Sequence, residues 1–244
     1  MQDISDKLIV ALDVDTLEKA GRFVDILYPT VKLFKIGSQL FTAYGPEAVK
    51  MVGKKGGKVF LDLKFHDIPN TVFASTCSSI ALGLEPITSE GHLAMFESGC
   101  VFMITVHTQG GLDAMKAATR GAEETSKELN IKKPYIVGVT VLTSDKQEDT
   151  AKVVLERASL AQQAGLDGVV CSAQEAAAVR KACGKGFIIV TPGIRPPAAA
   201  KDDQQRTATP REAIRAGSNF LVVGRPVLQA ADPLKAVKEL KCQK

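Results

Sequence analysis

The chain has 244 residues, enough for one or two domains. Its composition, 45% apolar and 24% charged, excludes a disordered chain, a collagen, a coiled coil and a low-complexity array. A net charge of +4, spread along the chain, is too mild for a nucleic-acid surface and leaves a small anionic ligand compatible.

The first segment, Met1 to Lys7, has no basic stretch followed by an apolar one, so no secretory signal is expected. Short β-branched runs then alternate with helical patterns. Strands are expected at Leu8–Asp13, Leu33–Gly37, Lys58–Lys64, Val101–His107, Tyr135–Leu142, Gly168–Ser172, Phe187–Pro192 and Asn219–Gly224. Strands that alternate with helices form βαβ units and a parallel sheet. Eight such units at this length predict one α/β TIM (β/α)8 barrel, a single domain over residues 1–244. An open doubly wound sheet fits less well, because its GxGxxG fingerprint is missing after the first strand, which reads Ala-Leu-Asp-Val-Asp.

Between the strands, Asp15-Thr-Leu-Glu18 reads as a capping box, followed by an apolar stripe of Leu17, Ala20, Val24 and Leu27. Residues 148–164 repeat the helical spacing, with Gly165 as the stop. Gly53 to Lys58 reads as a basic turn ahead of the third strand. Pro226 suits the first turn of a last helix. Arg195–Ala208, rich in Pro, Ala and Asp, is the loosest stretch, and a loop of that length is commonly functional.

Other chemistries find no support. The five cysteines form no CxxC pair and read as thiols in a reducing compartment. The three histidines lack zinc-ligand spacing, no GxSxG elbow is present, and no apolar run is long enough to span a bilayer. A cytoplasmic protein with no metal, no nucleic-acid partner and no membrane partner is expected.

In a barrel, chemistry gathers at the C-terminal ends of the strands. Here those ends carry Asp13, Lys35, Asp62 with Lys64, His107, Thr143, Ser172, Arg195 and Gly224-Arg225. Strand alternation puts Phe60, Asp62 and Lys64 on one face, pointing into the mouth, and Val59, Leu61 and Leu63 on the other. Lys35, on the neighbouring strand, can supply a second cation for Asp62. Charges held together in a cleft need partners, and such a network sets a lysine's position and protonation. The loops after strands 7 and 8 carry Thr-Pro-Gly-Ile-Arg195 and Gly224-Arg225-Pro. In that position they suggest a phosphate site, with Arg225 as a bidentate fork.

These motifs together resemble the orotidine 5′-phosphate decarboxylase family of bacterial type. Leu-Asp-Leu-Lys64-Phe-His-Asp67-Ile-Pro-Asn-Thr71 carries the resemblance, with Ala-Leu-Asp13, Phe-Lys35-Ile-Gly, Val-Thr-Val-Leu-Thr143-Ser, Val-Cys-Ser-Ala-Gln-Glu175, Thr-Pro-Gly-Ile-Arg195-Pro and Val-Gly224-Arg225-Pro. The resemblance implies a homodimeric barrel that converts orotidine 5′-phosphate to UMP and CO2 with no metal or organic cofactor. It implies Lys64 as proton donor to C6, Asp62 against the substrate carboxylate, and Lys35 completing the array. Asp67, Ile68 and Thr71 would enter the partner's site. Asp13 and Lys35 would touch the ribose and Thr143 the pyrimidine. Arg195, Gln204, Gly224 and Arg225 would hold the phosphate, Gln204 being preferred to Gln205. The chain departs from the family pattern around Leu84–Ser98, which reads as an insertion. Two rivals are a metal-dependent phosphosugar decarboxylase or synthase on the same barrel, and a non-catalytic nucleotide-binding barrel. The first needs an acidic metal ligand near the end of strand 2, where this chain has Lys35-Ile-Gly-Ser.

Overall fold

The computed structural model describes residues 4–82, 84, 99–142, 149–196 and 206–241. Eight parallel strands form a closed barrel in chain order: β1 (Leu8–Ala11), β2 (Leu33–Gly37), β3 (Lys58–Phe65), β4 (Val101–His107), β5 (Tyr135–Val139), β6 (Gly168–Val170), β7 (Ile188–Thr191) and β8 (Phe220–Val223). β8 returns to β1 with Leu221 opposite Leu8 and Val223 opposite Val10, which leaves the sheet without an edge.

Each strand feeds a helix that covers the outer face. These are α1 (Leu17–Leu27), α2 (Ser38–Tyr44), α3 (Pro46–Lys54), α4 (Pro69–Ala81), α5 (Gly111–Glu128), α6 (Thr150–Gln163), α7 (Ala173–Cys183), α8 (Pro210–Arg215), α9 (Arg225–Leu228) and α10 (Pro233–Lys241). In α1 the expected stripe packs inward, with Ala20, Val24 and Leu27 buried. Its cap differs from the expected one. Thr16 is the N-cap, accepting from the Lys19 amide, while Asp15 pairs with the Lys19 ammonium and Glu18 with Arg22. A carboxylate with a lysine four residues on gains a charge partner, so the shorter Thr16 hydroxyl takes the amide. The capping box lies instead at α8, where Thr209 and Glu212 exchange bonds. α6 ends as expected before Gly165, whose φ of 78° suits a residue without a side chain. Pro226 lies in the single turn α9, and α10 follows it as the last helix.

Strand alternation divides the core in two. Val59 and Leu61 of β3 pack outward with the helices. Phe60 points inward and meets Ile9, Met103, Val137 and Val190 in a small apolar plug along the barrel axis. This plug closes the barrel below the mouth, so polar side chains one step further along each strand stand on a dry floor.

Candidate active site

β3 and β4 lose register just below the mouth. Leu61 faces Ile104 and Phe65 faces Val106, so Asp62, Leu63 and Lys64 together stand opposite Thr105 alone. A bulge of this kind bends the strand and re-aims its side chains. Lys64 absorbs the bend with a φ of 52°, a left-handed conformation costing about 1–2 kcal/mol for a residue with a side chain. The Thr105 hydroxyl stabilises it. Its oxygen accepts from the Lys64 amide at 2.8 Å and its proton is positioned for Asp62 Oδ1 at 3.2 Å.

Four charged side chains alternate in sign across three strand ends. Lys35 Nζ lies 3.0 Å from Asp13 Oδ1 and 3.6 Å from Asp62 Oδ2, and Lys64 Nζ lies 2.9 Å from Asp62 Oδ2. Burial pushes the Asp62 carboxyl toward protonation. The Lys35 and Lys64 charges, with hydrogen bonds from Lys64 and Thr105, outweigh burial and hold it below the usual carboxylate range. Burial likewise works against the Lys35 ammonium, but Asp62 and Asp13 hold its pKa above the usual lysine value. Both groups are therefore ionised at neutral pH. Gly37 makes room for this array, since a Cβ there would meet Lys35 Nζ at 3.0 Å.

The array borders a cavity of about 280 Å³ that also takes in Arg195, Gly224 and Arg225 from the ends of β7 and β8. Arg195 is buried, and its backbone is clamped by Ala208. The Arg195 amide donates to the Ala208 carbonyl at 3.0 Å, and the Ala208 amide donates to that of Gly193 at 3.3 Å. The two ends of the loose stretch are thus pinned together beside the cavity. At Gly224 a Cβ would meet only ordinary contacts, at 3.7 Å from Ala11 and 3.8 Å from Asp13, so protein packing does not require the glycine. Its lack of a side chain leaves that space to the cavity.

A family model described as "Orotidine 5'-phosphate decarboxylase / HUMPS family" matches residues 6–240. The chain belongs to this family. It is 43% identical to "Orotidine 5'-phosphate decarboxylase" of Moorella thermoacetica, over 98% of this chain and 92% of that one. Against the protein of the same name from Saccharophagus degradans it is 44% identical, over 97% and 94%. A crystal structure of orotidine 5′-phosphate decarboxylase from Lactobacillus acidophilus superposes with a TM-score of 0.78 at 33% identity, covering 96% of this chain and 97% of that one.

Of the residues that the decarboxylase/HUMPS motifs single out, Asp13, Lys35, Asp62, Lys64, Arg195, Gly224 and Arg225 line one cavity. Asp67, Ile68 and Thr71 do not. They lie past β3 on an exposed stretch, where Asp67 Oδ1 accepts from the Ile68 amide at 2.7 Å. Thr143, Gln204 and residues 85–98 of the expected insertion lie outside the described residues. Among the described residues no cluster of three or more His, Cys, Asp or Glu side chains could hold a metal ion. The acidic ligand that the metal-dependent rival needs is replaced by Lys35, already tied to two carboxylates.

Thr105 is absent from the sequence expectation, because one threonine in Val-Phe-Met-Ile-Thr-Val-His reads as an ordinary strand former. Alternation could have found it. Met103 belongs to the inner plug, so Thr105 continues the inner face above it, as Asp62 does above Phe60. The stacking of His66 on His107 was also not expected, since the two are far apart in sequence and share no ligand spacing.

Proposed function

We propose that this chain decarboxylates orotidine 5′-phosphate to UMP and CO2, the last step of UMP formation, with Lys64 as the proton donor. The observation that carries this reading is the alternating row Asp13, Lys35, Asp62, Lys64 at the mouth, sharing a cavity with Arg195 and Arg225.

Breaking the bond between C6 and the carboxylate releases CO2 and leaves the electron pair on C6, in an orbital with little delocalisation. The Lys64 ammonium attracts that charge as it develops, then transfers a proton to C6 and becomes an amine that water reprotonates. Two unit charges 4 Å apart at an effective dielectric of 20 interact by about 4 kcal/mol. At 1.36 kcal/mol per tenfold, one such contact is worth on the order of a thousandfold in rate. Asp62, kept ionised by its two lysines, faces the substrate carboxylate and raises the ground state by like-charge repulsion. The reaction uses no metal or organic cofactor.

Arg195, Arg225 and the open space at Gly224 suit the phosphate, with Gln204 completing the set, and the phosphate's binding energy is available for positioning the remote ring. Asp13 and Lys35 suit the ribose hydroxyls and Thr143 the pyrimidine. The functional unit in this reading is a homodimer. Ile68 is 66% exposed, an apolar cost that a second copy covers. The same contact carries Asp67, Ile68 and Thr71 into the partner's site. No helix among the described residues is long and apolar enough to cross a membrane, and we place the enzyme in the cytoplasm.

The test is to follow the absorbance of orotidine 5′-phosphate with purified protein in excess chelator. Conversion to UMP supports the reading. No turnover, or turnover only on adding a divalent metal, overturns it.

A further inference from the structure

We propose that Thr105 is a positioning residue for the decarboxylation, holding Lys64 and Asp62 in their working geometry from beneath the cavity. The inference rests on the activity proposed above. Thr105 itself does not line the cavity and is fully buried on β4. Its hydroxyl is the one β4 side-chain group that spans the three-against-one bulge. It accepts from the backbone amide of Lys64, which the register shift has taken out of the strand ladder, and it is placed to donate to Asp62 Oδ1. One hydroxyl can do both at once, being a single donor with two acceptor lone pairs.

Both bonds act on geometry the sequence would not otherwise keep. Lys64 holds a left-handed φ of 52°, which a lysine adopts only when its surroundings enforce it. Without an acceptor at 2.8 Å the Lys64 amide is left unpaired, and an extended φ becomes the easier choice. Returning Lys64 to an extended conformation keeps it on the face of Asp62 but moves its ammonium off the 2.9 Å contact with Oδ2 and away from its present place at the cavity. Meanwhile Asp62 loses the bond that fixes Oδ1 and so leaves Oδ2 to the two ammonium groups. A misplacement of about 1 Å at a reacting group costs on the order of a hundredfold in rate.

The test compares Thr105→Val, which keeps shape and removes the hydroxyl, with Thr105→Ser, which keeps the hydroxyl. Steady-state kinetics on orotidine 5′-phosphate, UMP affinity and melting temperature are measured for each beside the wild type. The expected result is a kcat about a hundredfold lower in Thr105→Val, with UMP affinity little changed and most of the rate restored in Thr105→Ser. A purely structural role would lower the melting temperature and leave kcat per folded molecule unchanged. Thr105→Val with a wild-type kcat, or Thr105→Ser as slow as Thr105→Val, overturns the inference. Should Thr105→Val fail to fold, Thr105→Ala takes its place, with the same two outcomes. A wild-type protein that does not decarboxylate at all defeats the proposed activity; an active wild type with an equally active hydroxyl-free variant defeats only the role of Thr105.

Discussion

The imidazole rings of His66 and His107 stack with centroids 5.2 Å apart and planes inclined by 21°. They sit where β3 and β4 leave the barrel, beside Lys64. Burial lowers the pKa of His107, and electrostatic interaction with His66, Arg157 and Lys64 lowers it further. His107 Nδ1 meanwhile accepts from the Gln109 amide at 3.2 Å, a bond that only the unprotonated nitrogen can make.

A base whose folded pKa is depressed makes stability fall with acid. Below the unfolded value, near 6.5, the unfolded chain takes up a proton that the folded chain refuses. Stability is therefore lost as the pH drops through that value and levels off below the folded pKa. We expect His107→Gln to remove this component. Urea unfolding of wild type at about pH 7.5 and pH 5 should show a larger loss toward acid than the variant does; equal losses would exclude it.

Buried Glu175, at the start of α7, pairs with half-buried Arg206, at the returning end of the loose stretch. Glu175 Oε2 has no hydrogen-bond partner among the described residues. A buried charge deprived of its partner is costly, whereas exchanging both for apolar groups is often neutral. Glu175→Ala is expected to lower the unfolding free energy by about 1–3 kcal/mol, and Glu175→Leu with Arg206→Leu to recover most of it. Denaturant midpoints decide this, and a Glu175→Ala protein as stable as wild type would show the pair to be inconsequential.

A site shared across two subunits can be rebuilt from two dead parents. Lys64→Ala and Asp67→Ala chains should each be nearly inactive alone. After subunit exchange, mixed dimers contain one site with both residues intact, and up to about half of the heterodimer's sites recover. Activity that stays at the parental level after verified exchange contradicts the placement of Asp67 in a partner's site.

Much of this was legible in the residues. All eight strands lie where apolar runs place them, and β2 and β4 match the expected bounds residue for residue. The larger errors fall at the upper ends, while β7 and β8 also begin one residue later than expected. β1 stops at Ala11 rather than Asp13, and β5 at Val139 rather than Leu142. There the chain leaves the ladder to line the cavity, with Asp13 after β1 and Val141 and Leu142 after β5, and a pattern of hydrophobicity does not register that exit. The shared face of Phe60, Asp62 and Lys64 followed from alternation, although the bulge that lifts Lys64 did not. A bulge depends on pairing with β4, which no property of β3 alone encodes. Lys35 was visible as a partner for Asp62 because parallel neighbours bring their strand ends to one rim. The Thr16 cap was missed because Asp15 had a competing lysine one helical turn away. The clamp of Arg195 by Ala208 joins residues flanking a stretch that reads only as loose.

The most direct measurement is the kinetics of Lys64→Ala on orotidine 5′-phosphate, taken together with its affinity for UMP. Loss of the ammonium that meets the C6 electron pair should lower kcat by at least on the order of a thousandfold, while UMP still binds through its phosphate and ribose. A Lys64→Ala protein that keeps decarboxylating within about tenfold of the wild-type rate would show that the proton comes from elsewhere.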